Sequence, residues 1–281
     1  MILAFGQTGQ VAQELASYRG VVCLDRLEAG LSKPETCATA IHARKPQAVI
    51  NAAAYTAVDG AEEEEALATL INGEASGTMA QDCTELGISL VRISTDYVFN
   101  GAGESPWMPG DATEPLGAYG RSKLKGEQAV TGAGGCHAIL RTSWVVSAHG
   151  ANFVKTMLRL GKERDRLTIV ADQIGGPTPA RTIAGAYMEI ARQLVDDPGK
   201  TGTCHFSGAP DVSWAGFARE IFAQAAIDCE VVDIPSVEYP TPARRPLNSR
   251  LDCSSLETVF GTLRPDWPQG LTDTLKDLGE I

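Results

Sequence analysis

Residues 2–12 read Ile2-Leu3-Ala4-Phe5-Gly6-Gln7-Thr8-Gly9-Gln10-Val11-Ala12. Four apolar residues run without a break, which suits a strand buried on both faces. Two glycines three apart follow, and then a stretch with helical spacing. Strand, glycine turn and helix in this order turn free backbone N–H groups and a positive dipole end toward an anion. In the pattern Gly-x-x-Gly-x-x-Ala, Gly6 takes the tight turn and Gly9 lets the backbone approach a pyrophosphate. Ala12 lets the helix lie close to the sheet. An ordinary βα turn can look the same, so the weight of the motif depends on its surroundings.

Outward from this stretch, short apolar runs recur at Val21–Leu24, Ala48–Ile50, Ile88–Ile93 and Ala138–Leu140. Between them Gln10–Ser17, Pro34–Arg44, Glu62–Glu85 and Tyr119–Thr131 read as helices. The alternation predicts an α/β fold, a Rossmann-type doubly wound parallel sheet with helices on both faces. The second half is less regular, with helices expected at Asn152–Lys162, Thr182–Val195 and Trp214–Ala226. It predicts a smaller α/β C-terminal lobe for substrate. The division expected is a dinucleotide-binding unit over 1–148 and a substrate lobe mainly over 149–281, with residues about 178–200 returning to the first unit.

The chain has 281 residues, with 24 Lys+Arg against 35 Asp+Glu, a net charge of −11. That balance argues against nucleic acid or an anionic membrane surface as partner, since phosphate backbones need clustered cations. No apolar run is long enough to span a bilayer, and no basic, apolar leader is visible at the start. Seven cysteines are scattered without a CxxC pair, which reads as reduced thiols of a cytoplasmic protein. The four histidines are isolated, so no metal site is expected. The acidic run Glu62–Glu65 reads as a solvated helix start.

Three features carry chemistry. Tyr119 and Lys123 stand four apart in a helical stretch and share a face. An ammonium near a phenol lowers its pKa, and such a tyrosine can give a proton to a carbonyl oxygen as hydride reaches the carbon. Thr95 ends a buried strand, where open α/β sheets bind ligands, and is placed to offer a hydroxyl to the same oxygen. The second strand ends in Leu24-Asp25-Arg26. Asp25 suits a free ribose hydroxyl and hence NADH, whereas Arg26 suits a 2′-phosphate and hence NADPH, so both cofactors stay open. Late in the chain, Arg244, Arg245 and Arg250 form a basic cluster suited to a diphosphate, or simply to a surface.

Eight segments in order resemble the extended short-chain dehydrogenase/reductases, and within them the dTDP-4-dehydrorhamnose reductases. They are Phe5–Val11, Val49–Asp59, Ser94–Phe99, Tyr119–Leu124, Arg141–Val145, Asn152-Phe153, Asp172–Thr178 and Arg245–Arg250. The resemblance implies reduction of the 4-keto group of a dTDP-4-keto sugar by NADPH or NADH. Tyr119 would be proton donor, Lys123 would tune it and bind the nicotinamide ribose, and Thr95 would orient the ketone. Gly6, Thr8, Gly9, Gln10 and Val11 would line the pyrophosphate, and Ala53, Ala54, Tyr55 and Thr56 would pass along the cofactor. Asp96, Tyr97, Trp144 and Asn152 would face the sugar, with Arg245 on the diphosphate. By residue type alone, Tyr97 and Trp144 read equally as core.

The chain departs from this pattern in places. Ala29-Gly30-Leu31-Ser32 stands where an aspartate usually helps bind the adenosine end. Some relatives hold magnesium between subunits with glutamates. Glu14 is suitably placed, but Arg181 and Pro268 stand where acidic partners would be expected, so no metal-bridged dimer is predicted and monomer or homodimer both stay open. Thr95-Asp96-Tyr97 lacks the glutamate that a dehydratase of this fold places after the aspartate. A related epimerase or 4-ketosugar reductase, or a non-catalytic NADP-binding subunit, are the alternatives.

Overall fold

A computed structural model describes residues 1–281. Six parallel strands form the main sheet: β1 (Ile2–Phe5), β2 (Val21–Leu24), β3 (Ala48–Asn51), β4 (Ser89–Thr95), β5 (His137–Thr142) and β10 (Gly202–His205), in the order β10-β5-β4-β3-β1-β2. Helices α1 (Gln10–Leu15) and α7 (Ala180–Asp196) cover one face. The other face carries α2 (Pro34–Arg44), α4 (Ala75–Leu86) and α5 (Ala118–Gly132). Both faces of β1, β3 and β5 are buried, which is why these strands read as unbroken apolar runs. Strand order reverses between β1 and β3, so the crevice for a ligand opens beside the turns that follow those two strands.

The second unit is built on a two-stranded parallel pair, β7 (Arg166–Val170) with β12 (Glu230–Ile234). Helices α6 (Phe153–Glu163), α8 (Trp214–Gln224) and α10 (Trp267–Asp277) close a separate core around Phe217, Ile221, Trp267 and Leu271. Small strand pairs link the units: β6 (Val145–Val146) with β9 (Thr178–Pro179), and β8 (Ile174–Gly175) with β11 (Val212–Ser213) and β13 (Asn248–Ser249). The chain returns to the main sheet through α7 and then β10, whose outer side is met by α9 (Ser254–Phe260).

One expected helix is broken. Glu62–Glu85 resolves into a short helix α3 (Glu65–Thr69), a wide π turn over Leu70–Glu74, and α4. In this turn the buried Asn72 side chain points inward. The Asn72 backbone carbonyl accepts from Arg92, while the side-chain amide reaches Tyr55 and Ser122. π turns of this kind collect at functional sites.

Candidate active site

The cofactor side is built around the glycine turn. Gly6 has φ +108°, and a Cβ there would stand 3.3 Å from both Cβ and N of Ala53, so the turn after β1 lies directly against the one after β3. Only glycine fits such a backbone comfortably. Gly9 caps α1 with φ −70°, and nothing lies within 4 Å of where its Cβ would be. A bare backbone at this point fits the pyrophosphate of a dinucleotide. Thr8 is exposed beside it, and Val11 turns its side chain into the core. Ala53 and Ala54 follow β3 at the crevice, with Thr56 exposed beyond them. At the end of β2 the Asp25 carboxylate accepts from the N–H groups of Leu27 and Glu28 through one oxygen, Oδ1. Arg26 points into solvent.

The candidate reacting groups meet at the C-terminal end of β4. Thr95 and Asp96 are buried there, and Tyr119 sits in the first turn of α5 with its ring edge-on to Tyr97, centroids 5.5 Å apart. One turn on, the Lys123 ammonium is buried and donates to the Ile93 carbonyl at 2.7 Å. So Tyr119, Lys123 and Thr95 share one strand end. Burial, reinforced by the Asp96 carboxylate, pushes the Tyr119 phenol up to about 12, while the Thr95 hydroxyl and Arg92 pull it down. Burial and then Arg92 hold Lys123 well below the usual lysine range. The Lys123 ammonium is thus turned to the strand beside the helix turn that carries Tyr119.

Residues 1–280 match the family described as the RmlD substrate binding domain. The chain belongs to this family. It is 44% identical to the dTDP-4-dehydrorhamnose reductase of Burkholderia thailandensis, over 99% of this chain and 98% of that protein. Among solved structures it resembles the dTDP-4-dehydrorhamnose reductase of Clostridium acetobutylicum, with TM-score 0.92, 34% identity and 99% of each chain covered. A second is the Bacillus anthracis dTDP-4-dehydrorhamnose reductase in complex with NADP, with TM-score 0.91, 32% identity and 98% of each chain covered.

On the sugar side of this RmlD-family chain some expected contacts are engaged elsewhere. Asn152 caps α6, accepting from Lys155 N–H, and its amide donates to the Gln10 side chain and to the Ser147 and His149 carbonyls. It pins α6 to α1, and the Gln10 side chain, which also accepts from Ser147, belongs to the same pin. Arg245 donates through both terminal nitrogens to Asp59, at 2.9 and 2.8 Å. It and its neighbour Arg244, which makes no hydrogen bond or ion pair, both line a hollow of about 540 Å³ with Asn100, Leu116, Tyr239 and Leu247. Asp96 lies beneath Thr95, accepting from its hydroxyl at 3.1 Å, with its other oxygen buried and unpartnered. Tyr55 is held through its N–H by Asn72 and donates its phenol to Glu64. Trp144 is half-buried, stacked on Trp214 at 3.6 Å, and held at φ +47°, a backbone region costly for so large a side chain.

The acidic run is not merely a solvated helix start. Glu62 accepts from the Ala118 N–H at 2.8 Å and so caps α5, whose own preceding residue, Gly117, has no side chain to do so. Glu65 forms a two-bond fork with Arg121. Glu62 and the first residue of α3 thereby fix the start of the helix that carries Tyr119 and Lys123. Around Glu14, Arg181 approaches at 3.4 Å and His149 at 3.3 Å, while Arg181 also pairs with Asp277 at 2.7 Å. A guanidinium occupies this carboxylate, so these residues do not fit a magnesium ion. One surface trio of metal-ligating types, His42, Asp82 and Glu85, lies between α2 and α4, where His42 and Asp82 already meet at 2.8 Å.

Proposed function

We propose that this chain is an NAD(P)H-dependent oxidoreductase that reduces the 4-keto group of dTDP-4-dehydro-β-L-rhamnose to give dTDP-L-rhamnose, the last step in making that sugar nucleotide. The observation that carries it is the gathering of Tyr119, Lys123 and Thr95 at the end of β4, in a chain matching reductases of that name along its whole length. When bound, the reduced nicotinamide supplies hydride to the carbonyl carbon. Gly6, Gly9 and the first N–H groups of α1 hold the pyrophosphate, with Ala53–Thr56 alongside. Asp25 or Arg26 meets the adenosine ribose.

The protein's own part in the reaction is to deliver a proton and hold the ketone. A phenol with its pKa near 12 is fully protonated at neutral pH. It is still a far stronger acid than the alcohol that forms, so transfer from Tyr119 Oη to the new alkoxide runs downhill. The Thr95 hydroxyl, which donates to Asp96 in the free protein, is the second donor to that oxygen once it turns to the ketone. Tyr97 and Trp144 supply apolar walls beside it, and the ring stack on Trp214 fixes the indole. Arg244, the free cation of the late cluster, meets the diphosphate from the hollow beside Tyr239. No helix is long and apolar enough to cross a membrane. The seven cysteines are free, in keeping with action in the cytoplasm, as monomer or homodimer.

The test is to supply NADPH and the synthesised 4-keto nucleotide, follow cofactor oxidation, and assign the product's configuration at C4 by NMR. Tyr119→Phe is expected to lose at least about 10²-fold in turnover while folding normally. Tight NADPH binding without turnover of the keto sugar would refute the proposal, and so would near-normal turnover by the variant refute the role of Tyr119.

A further inference from the structure

Four consecutive residues, Asp172–Gly175, run into and form β8, and each holds something different. The Asp172 carboxylate accepts from the Ser236 N–H, at 2.9 Å to each oxygen, and from the Ser236 hydroxyl. The buried Gln173 amide donates from Nε2 to that same hydroxyl at 3.0 Å, and accepts at Oε1 from the indole N–H of Trp214 at 3.2 Å. An indole nitrogen only donates, so the amide stands this way round. The Ile174 N–H donates to the Leu247 carbonyl at 2.8 Å. At Gly175 a Cβ would stand 3.0 Å from Cε2 of Trp144, so the missing side chain makes room for that ring. The loop over residues 236–247 is therefore hung at both ends from one short strand. It lines the hollow that Arg244 faces, and its Val237, Tyr239 and Leu247 are exposed. On its other side the strand holds the indole pair, with Trp214 on the Gln173 amide and Trp144 stacked on Trp214 at 3.6 Å. Gln173 touches both, one end of its amide on the loop and the other on the stack.

We propose that Gln173 is a positioning residue, which passes the entry of a nucleoside diphosphate into the hollow on to the Trp144 wall beside the reacting ketone. Binding energy from the part of a substrate that does not react raises turnover when it is used to place the part that does. A nucleotide in the hollow covers the exposed side chains of the loop and draws the loop inward. Ser236 moves with it, and the Gln173 amide carries the shift to Trp214 and to the ring stacked on it. Trp144 is suited to receive such a shift. At φ +47° its backbone is held in a costly region, so its neighbours fix where the ring points. An apolar side chain at position 173 would fill the same space, but the loop and the indole pair would no longer share a bonded partner.

This inference rests on the reading that the hollow takes the nucleotide end of the substrate, and the experiment separates the two. The probe is dTDP, which carries that end without the sugar, titrated into the natural chain, Gln173→Leu and Gln173→Glu. Calorimetry gives its affinity, and near-ultraviolet circular dichroism of the tryptophans gives the response of the stack. In the natural chain dTDP should bind and change the tryptophan signal. Gln173→Leu should bind dTDP within about threefold of the natural affinity, yet show less than about half of that change at saturation. Its turnover of the 4-keto nucleotide at saturation should fall at least about tenfold through the misplaced wall. Gln173→Glu keeps an acceptor for the indole N–H, but as a carboxylate it has no donor for Ser236, and it should lose the response in the same way. It carries the test alone should Gln173→Leu not fold. A full tryptophan response to dTDP in either variant, or none in the natural chain with dTDP bound, overturns the inference. Failure of the natural chain to bind dTDP is a different result, which removes the nucleotide reading of the hollow and the inference with it.

Discussion

Gly6 and Gly9 stand three residues apart in one turn, and their alanine variants should fail in different ways. At Gly6 a side chain meets φ +108° and the backbone of Ala53 at 3.3 Å. A non-glycine residue in such a region costs about 1–3 kcal/mol. The smaller freedom of alanine in the unfolded chain returns about 0.4–1 kcal/mol. The net loss is about 1.3 kcal/mol, which for a chain of this size lowers Tm by about 3–5 °C. At Gly9 the backbone, φ −70° and ψ 154°, suits alanine, and no protein atom opposes the new methyl. Alanine is a poorer N-cap than glycine by a fraction of a kcal/mol, and the unfolded-state gain offsets it, so Tm should stay within about 2 °C. The methyl instead projects where the pyrophosphate approaches. Affinity for NADPH should fall at least about tenfold, or 1.4 kcal/mol. Differential scanning fluorimetry without cofactor, then fluorescence titration with NADPH, reads both quantities. If Gly9→Ala melts as low as Gly6→Ala, or binds NADPH unimpaired, the assignment of one glycine to the fold and the other to the ligand is refuted.

Further outcomes follow from other contacts. Glu62→Ala removes the acceptor for the Ala118 N–H, and should cost about 1 kcal/mol, seen as a Tm drop of about 2–4 °C. Asp25→Ala should weaken NADH more than NADPH, measured by titration of each; equal losses would remove its ribose role. His205 is buried against Arg141 and the Trp107 carbonyl, and burial, then Arg141, lowers its pKa to about 3. Its unfolded form binds a proton below about pH 6.5 while the folded form does not, so its share of stability is present above that pH and is lost as pH falls toward 3. Asp96 acts in the opposite sense, since burial raises its carboxyl to about 6 and the folded state gains from protonation. Chemical denaturation of His205→Gln and the natural chain at pH 7 and pH 5 isolates the histidine: the variant should lose about 2 kcal/mol less across that interval.

The sequence made the main sheet legible because its strands are buried on both faces and its turns carry glycine, signals confined to four or five neighbouring residues. Tyr119 and Lys123 were visible for the same reason, since one helical turn separates them. Contacts made by folding were not. Glu62 reaches Ala118 across 56 residues, Asn152 reaches Gln10 across 142, and Arg245 reaches Asp59 across 186. In each case the side chain has an unremarkable polar identity, and its role depends on which segments the sheet brings together. Arg92 was hidden differently. A single arginine within an apolar run looks like an interruption of a strand, and only the π turn at Leu70–Glu74, itself without a local sequence signature, shows what the guanidinium is for.

The fork between Asp59 and Arg245 constrains how this protein can change over generations. Each partner is only partly exposed, and losing either leaves the other charge without its mate. Asp59 also accepts from the Ala243 N–H, so the carboxylate shapes the stretch that presents Arg244. A lone replacement at either position would disturb the loop that presents Arg244, which both side chains hold. Mutational drift here is thus expected to pass through paired exchanges, or to leave both positions as they are.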